Sequence, residues 1–76
     1  MGRPLELLIL SEGERVELGA LAARRKTAQA LALRARIVLL SGDGIANKDV
    51  AAWLGVDPVT VGKWRRRFLA DRLDGL

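Results

Sequence analysis

Apolar residues between residues 11 and 71 recur at spacings of three and four, which is the period of an α-helix rather than of a strand. The clearest apolar face predicts a central, buried helix that Thr27 caps and that ends near Leu40. Its apolar residues are Ala30, Leu31, Leu33, Ala35, Ile37, Val38 and Leu40. A turn is predicted to follow at residues 41–44, where the sequence reads Ser-Gly-Asp-Gly.

A first helix is predicted before this central one, from about Glu12 to Arg25. Ser11 and Glu14 have the spacing of a capping box, in which the serine and glutamate side chains satisfy free backbone amides at a helix start. The apolar positions expected to face the core are Val16, Leu18, Leu21 and Ala22. Residues 1–10 contain Gly2 and Pro4, which oppose a helix, so they are predicted to form an extended N-terminal arm.

Two further helices are predicted in the C-terminal half of the chain. Asn47 is predicted to cap a short helix that ends at Leu54, where Gly55 can take the positive φ of a helix end. Asp57 and Pro58 then have the residue types that open a helix, and this last helix is predicted to end between residues 69 and 71. The chain is thus predicted to be all-α, with four helices in residues 11–76.

The last two helices fit the spacing of a helix-turn-helix over about residues 47–69. Seven positions agree with that geometry: inward-facing apolar residues, a small residue at the helix crossing and a glycine at the turn. They are Val50, Ala51, Leu54, Gly55, Val56, Val61 and Trp64. The alternative interpretation is a pair of unrelated core helices.

The last helix is predicted to read DNA bases in the major groove. With Val61, Trp64 and Phe68 expected to be buried, a polar and basic stripe would lie on the opposite side of the helix. Lysine and arginine can donate to guanine, a valine or threonine methyl can contact thymine, and a glycine would allow a close approach. The predicted base-reading residues are Val59, Thr60, Gly62, Lys63, Arg66 and Arg67.

The charge and composition of the chain agree with a DNA-binding role. Thirteen basic against nine acidic residues give a net charge of +4, and the chain has no histidine and no cysteine. The usual metal ligands and the usual general base are therefore missing, so we expect neither an enzyme nor a cofactor. Basic residues outside the stripe are predicted to contact DNA phosphates; they are Arg24, Arg25, Lys26, Lys48 and Arg65. Packing at the edge of the core is the alternative for Arg65.

Two other residues leave alternatives open. Trp53 either packs in the core or lies exposed as a contact for another protein. Arg3 lies between Gly2 and Pro4, a sequence that resembles the centre of a minor-groove hook, whereas a disordered terminus is the alternative. The longest apolar stretches are too short to span a membrane, and no signal peptide is evident.

Several runs of residues resemble the N-terminal domain of mariner-related bacterial insertion-sequence transposases, the "six-thirty" group. The resemblance covers nearly the whole chain. Its residues are Leu10-Ser11-Glu12, the run from Arg24 to Leu40, Asn47-Lys48-Asp49-Val50-Ala51, Leu54-Gly55-Val56, Thr60-Val61, Lys63-Trp64-Arg65-Arg66-Arg67-Phe68 and Leu73-Asp74-Gly75-Leu76.

The resemblance implies a homeodomain-like, paired-like domain that recognises the terminal inverted repeats of a transposon. It also implies that a second DNA-binding segment and an RNase-H-like nuclease domain with three metal-binding acids belong to the parent protein, of which this chain would be a fragment or a truncated relative. The chain departs from the family pattern at Trp53, at Asp57-Pro58 and at Gly62, and the change at Pro58 removes one usual DNA contact.

We therefore expect sequence-specific binding of double-stranded DNA in the bacterial cytoplasm, at the nucleoid, without membrane association. A homodimer bound to DNA is left open. A free-standing transcription regulator is the first alternative function, and a helical module that binds an acidic protein or RNA is the second.

Overall fold

Four α-helices follow one another in the computed structural model, which describes residues 7–76. They are α1 (Glu12–Ala23), α2 (Gln29–Gly42), α3 (Asn47–Leu54) and α4 (Pro58–Asp71), and a 3₁₀ helix (Arg72–Gly75) follows α4. No strand occurs in this part of the chain, so the predicted all-α fold is confirmed. The 3₁₀ helix was not predicted.

The N-terminus of α1 is held by the predicted capping box. The Ser11 hydroxyl accepts a hydrogen bond from the Glu14 amide at 3.1 Å, and the Glu14 carboxylate accepts one from the Ser11 amide at 2.9 Å. The helix ends at Ala23, two residues before the predicted end, so residues 24–26 lie in the following loop and not in the last helical turn. A basic side chain from α2 contacts the end of α1 instead, since Arg36 donates a hydrogen bond to the carbonyl of Ala22 at 3.2 Å.

The N-terminus of α2 differs from the prediction. The helix begins at Gln29 after Ala28, which cannot provide a side-chain cap, so the predicted capping by Thr27 is wrong. The helix continues to Gly42, and the turn predicted at residues 41–44 is therefore shortened to its second half. Ser41 is buried at 3% exposure as part of the helix.

The core has two parts, and α2 contributes to both of them. The first buried group joins the arm, α1, α2 and α4; it consists of Leu8, Leu18, Ala35, Val38 and Phe68. The second joins α2 to the last two helices; it consists of Ile37, Val50, Ala51 and Val61. The central position predicted for α2 is confirmed by these contacts. Val16, predicted to face the core from α1, is instead exposed.

Residues 7–10 lie against the end of α2 without regular secondary structure. Leu8 is buried in the core, whereas Leu7 and Ile9 point outward, which is the alternation of an extended segment. A Cβ atom at Gly42 would lie only 2.6 Å from Cδ1 of Leu10, so the arm packs closely on α2 because residue 42 has no side chain. Arg3, the predicted minor-groove contact, lies outside the described residues.

None of the helices within residues 7–76 combines the length and the apolar character that crossing a membrane would require.

Candidate nucleic-acid interface

A tight turn joins α3 to α4. Gly55 has φ of 70° and ψ of 36°, a left-handed conformation in which glycine lacks the steric cost of a side chain. The amide of Val56 donates to the carbonyl of Ala51 at 3.0 Å and closes the end of α3. Ala51 itself is 3% exposed and has the small side chain that lets the two helices pack closely. The turn predicted from the sequence is confirmed.

The start of α4 has the predicted position, but the side-chain cap expected from Asp57 is absent. Asp57 precedes the helix in an extended conformation, and Pro58 occupies its first turn, where the missing amide proton has no partner to lose. The Asp57 carbonyl accepts the first helical hydrogen bond, from Val61 at 3.2 Å, but the Asp57 side chain makes no capping hydrogen bond. The direction of α4 is therefore set by the proline and by packing.

One side of α4 is fixed in the core. Val61 and Phe68 have no exposed surface, whereas Trp64 is only half-buried and packs against the second core group. The expectation of a fully buried Trp64 is therefore corrected. Arg65 lies on the same side and is 8% exposed, so its burial favours the alternative of packing at the core edge over a contact with a phosphate.

The opposite side of α4 is open to solvent. Val59 is 79% exposed at the start of the helix, Thr60 is half-buried, and Lys63, Arg66 and Arg67 are exposed. Val59, Lys63 and Arg66 follow one another at steps of four and three, so they form one continuous line along the helix. The structure thus brings together an apolar residue and two cations at the surface of α4.

Gly62 does not lie open on this surface. A Cβ atom there would lie 3.2 Å from Nη1 of Arg66 and 3.6 Å from Nδ2 of Asn47, so the ends of these two side chains cover the glycine. DNA can approach the backbone at Gly62, as was predicted, only after both side chains move. Oδ1 of Asn47 is buried here and has no hydrogen-bond partner.

Three cations surround the half-buried Trp64. The guanidinium carbon of Arg34 lies 4.0 Å from the centroid of the indole ring, the Lys63 ammonium 5.0 Å and the Arg67 guanidinium carbon 5.3 Å. Arg34 was not among the predicted site residues. Its position in an acid-free basic segment of the sequence was the only signal for it, because the sequence does not show which residue of α2 faces Trp64.

The other predicted phosphate contacts lie on separate elements. Arg24, Arg25 and Lys26 are exposed in the loop between α1 and α2, and Lys48 is exposed in the first turn of α3. Arg24 and Arg25 line an open cleft together with Arg36, which sequence analysis had not assigned to the site. These cations are available to an anion, but they are not part of the surface of α4.

Trp53 is 65% exposed on α3. The interpretation as a core residue is therefore wrong, because the packing between α3 and the rest of the domain uses Val50, Ala51 and Leu54 instead. The alternative, a contact with another protein, stays a prediction.

A family model described as a homeodomain-like domain matches residues 28–76, which include α2, α3, α4 and the 3₁₀ helix. Neither the curated proteins nor the solved structures that were searched gave a match. The matched segment covers more than half of the chain and contains the helix-turn-helix described above, and the chain therefore belongs to the homeodomain-like family.

Proposed function

We propose that this domain binds a specific sequence of double-stranded DNA and that it directs a transposase to the terminal inverted repeats of an insertion sequence. One observation carries the DNA-binding part of the proposal. The second helix of a helix-turn-helix presents Val59, Lys63 and Arg66 to solvent in one line, directly opposite the buried Val61 and Phe68. A helix of this kind can enter the major groove with that line toward the base edges.

The residues of this line differ in what they can recognise. The side chains of Lys63 and Arg66 can donate hydrogen bonds but cannot accept them. They are therefore suited to guanine, which presents two acceptors in the major groove. Val59 is apolar and is suited to the methyl group of thymine. Thr60 and Arg67 lie at the margins of the line and would contact the edges of the groove. The proposed site therefore favours a sequence that contains guanine and thymine.

Phosphate contacts would hold the domain on the duplex. Arg24, Arg25, Lys26 and Lys48 are exposed and lie outside the surface of α4, so they can add affinity without sequence information. In the proposal Arg65 is not a phosphate contact, because its side chain is buried. Arg3 is retained as a minor-groove contact on the strength of its Gly-Arg-Pro sequence alone.

The transposase part of the proposal is supported by the sequence resemblance described above and needs its own test. The chain is used to select binding sites from random duplexes, and the selected sequence is then sought in the genome that encodes it. A transposase domain requires this sequence in inverted orientation at both ends of one element that contains the gene. A sequence found singly upstream of genes would instead indicate a transcription regulator, and a chain that selects no duplex sequence would contradict specific DNA binding altogether.

A further inference from the structure

Arg34 reaches the surface of α4 from a helix that is not part of the helix-turn-helix. Its guanidinium lies over the Trp64 ring at 4.0 Å, closer than either cation of α4 that flanks this tryptophan. Stacking on an aromatic ring holds the plane of a guanidinium and orients its hydrogen-bond donors. The direction of Arg34 is therefore fixed before any ligand binds.

No aspartate or glutamate within residues 7–76 forms an ion pair with Arg34. The ion pairs within residues 7–76 join Arg15 to Asp43 and Arg72 to Glu14, so neither includes a cation that surrounds Trp64. Arg34 uses one donor for the Leu76 backbone oxygen at 3.3 Å, and a guanidinium has five such donors. Arg34 and Arg67 are thus two positive charges beside one ring, and both have hydrogen-bond donors that remain available to a ligand.

We propose that Arg34 and Arg67, oriented by Trp64, form a binding site for one backbone phosphate of duplex DNA. This inference rests on the proposed function and adds a contact from α2 to it. A phosphate there would relieve the repulsion between the two guanidinium groups and accept charge-assisted hydrogen bonds from both. Lys63 also flanks Trp64 but belongs to the line of base-reading residues, and the experiments therefore change Arg34 instead.

The position of the site relative to α4 fits a phosphate that borders the major groove. Arg67 is at the margin of the exposed side of α4, and Arg34 of α2 lies over the same Trp64 ring. When α4 lies in the groove, the margins of the helix face the two sugar-phosphate backbones and not the bases. The site would thus fix the depth of α4 in the groove. It would contribute equally to the binding affinity for all DNA sequences.

The first test compares the salt dependence of duplex binding for the wild-type chain, Arg34→Gln and Arg15→Gln. Both variants lose one positive charge, but Arg15 is paired with Asp43 at 3.0 Å and lies away from Trp64, so it is the matched control. Arg34→Gln is expected to lower the slope of log affinity against log salt by about 0.9. It is also expected to weaken specific and random duplexes alike, by about tenfold at low salt. Arg15→Gln should keep the wild-type slope.

A second test does not require the Arg34 variant to fold. In a Trp53→Phe chain, Trp64 is the sole tryptophan, and Trp53 is exposed enough for this change to be tolerated. Because a phosphate bound to Arg34 and Arg67 would change the charge beside the indole ring, the emission of Trp64 must change on addition of duplex DNA. The change should have the same midpoint as binding measured by anisotropy. An unchanged emission at saturating DNA would overturn the inference.

The outcomes separate this inference from the proposed function. A wild-type slope for folded Arg34→Gln, in a chain that still selects a DNA sequence, would overturn the phosphate site alone. A reduced slope in a chain that selects no sequence would support the phosphate site and contradict specific recognition.

Discussion

The Arg72 guanidinium holds both oxygens of the Glu14 carboxylate, with Nη2 to Oε1 at 2.6 Å and Nε to Oε2 at 2.8 Å, although the two residues are 58 positions apart. Arg72 also donates to the Ile9 carbonyl at 2.7 Å and lies 4.6 Å from the centroid of the Phe68 ring. One side chain thus joins the arm, the start of α1 and the end of α4. Since Glu14 is also part of the capping box, this contact links the first turn of the domain to its C-terminal end.

The stability of the domain should depend on the ionisation of Glu14. The hydrogen bond from Arg72, aided by the backbone amide of Ser11, lowers the pKa of Glu14 from its ordinary 4.5 to about 2. A carboxyl group with a lowered pKa in the folded state stabilises the fold above its unfolded pKa, and this contribution is lost as the pH falls toward the folded pKa. We therefore expect the melting temperature to decrease between about pH 4.5 and pH 2.

The matched variant for this prediction is Glu14→Gln. Glutamine can replace glutamate in a capping box, so the variant removes the charge but can keep the cap. Thermal melts of both chains across this pH range should show a larger loss for the wild type than for the variant. Equal losses of melting temperature would mean that Arg72 does not lower the pKa of Glu14 in the folded chain.

The two aromatic residues of α4 should differ in their contribution to stability. Phe68 has no exposed surface, and Phe68→Ala should cost about 3–5 kcal/mol, the range for buried aromatics. Trp64 is only half-buried, so Trp64→Ala should cost less, about 1–3 kcal/mol. Denaturant unfolding of both variants measures the difference, and a greater cost for Trp64→Ala would show that the helix is rotated from the position described here.

Two glycines should respond in opposite directions to replacement by alanine. A Cβ atom at Gly75 would lie 2.5 Å from the backbone oxygen of Arg67, which cannot move without distorting α4, so Gly75→Ala should destabilise by about 1–3 kcal/mol. Gly13 lies in α1 with no other atom within 4 Å of such a Cβ, so Gly13→Ala should stabilise by up to about 1 kcal/mol. Chemical denaturation tests both signs, and stabilisation by Gly75→Ala would contradict the packing of the 3₁₀ helix on α4.

Trp53 should matter little to the fold. Because its side chain is 65% exposed, Trp53→Ala should change the free energy of unfolding by less than about 0.5 kcal/mol. A loss of several kcal/mol in the free energy of unfolding, measured by urea titration, would show that Trp53 packs in the core.

Local signals in the sequence were sufficient to predict several elements that depend on local chemistry. Three predicted caps are absent, however: Thr27 and Asn47 are not the N-cap residues of α2 and α3, and the Asp57 side chain makes no capping hydrogen bond. The capping box at Ser11, the glycine turn at Gly55 and the start of α4 at Pro58 each act through a few neighbouring residues, and the structure has all three. The helix-turn-helix was predictable for the same reason, since its two helices and its turn lie within about twenty consecutive residues.

Features that depend on distant contacts were not predictable. The early end of α1 involves Arg36 of α2, which supplies a hydrogen bond to a terminal carbonyl. The exposure of Val16 and Trp53 depends on where the neighbouring helices lie, which helical periodicity does not specify. The contact between Arg72 and Glu14 and the position of Arg34 over Trp64 also join separate helices, and only the folded chain brings them together.

Binding-site selection on four chains tests most directly whether α4 reads DNA bases: wild type, Lys63→Ala, Arg66→Ala and the double variant Arg24→Ala/Arg25→Ala. Lys63 and Arg66 lie in the exposed line of α4, so each single variant should lose about 1–3 kcal/mol on the preferred site and relax base preference at one or two positions. The double variant, changed only in the loop between α1 and α2, should bind all sequences more weakly and keep the wild-type preference. At one fixed salt concentration, unchanged base preferences for both Lys63→Ala and Arg66→Ala would contradict recognition by α4.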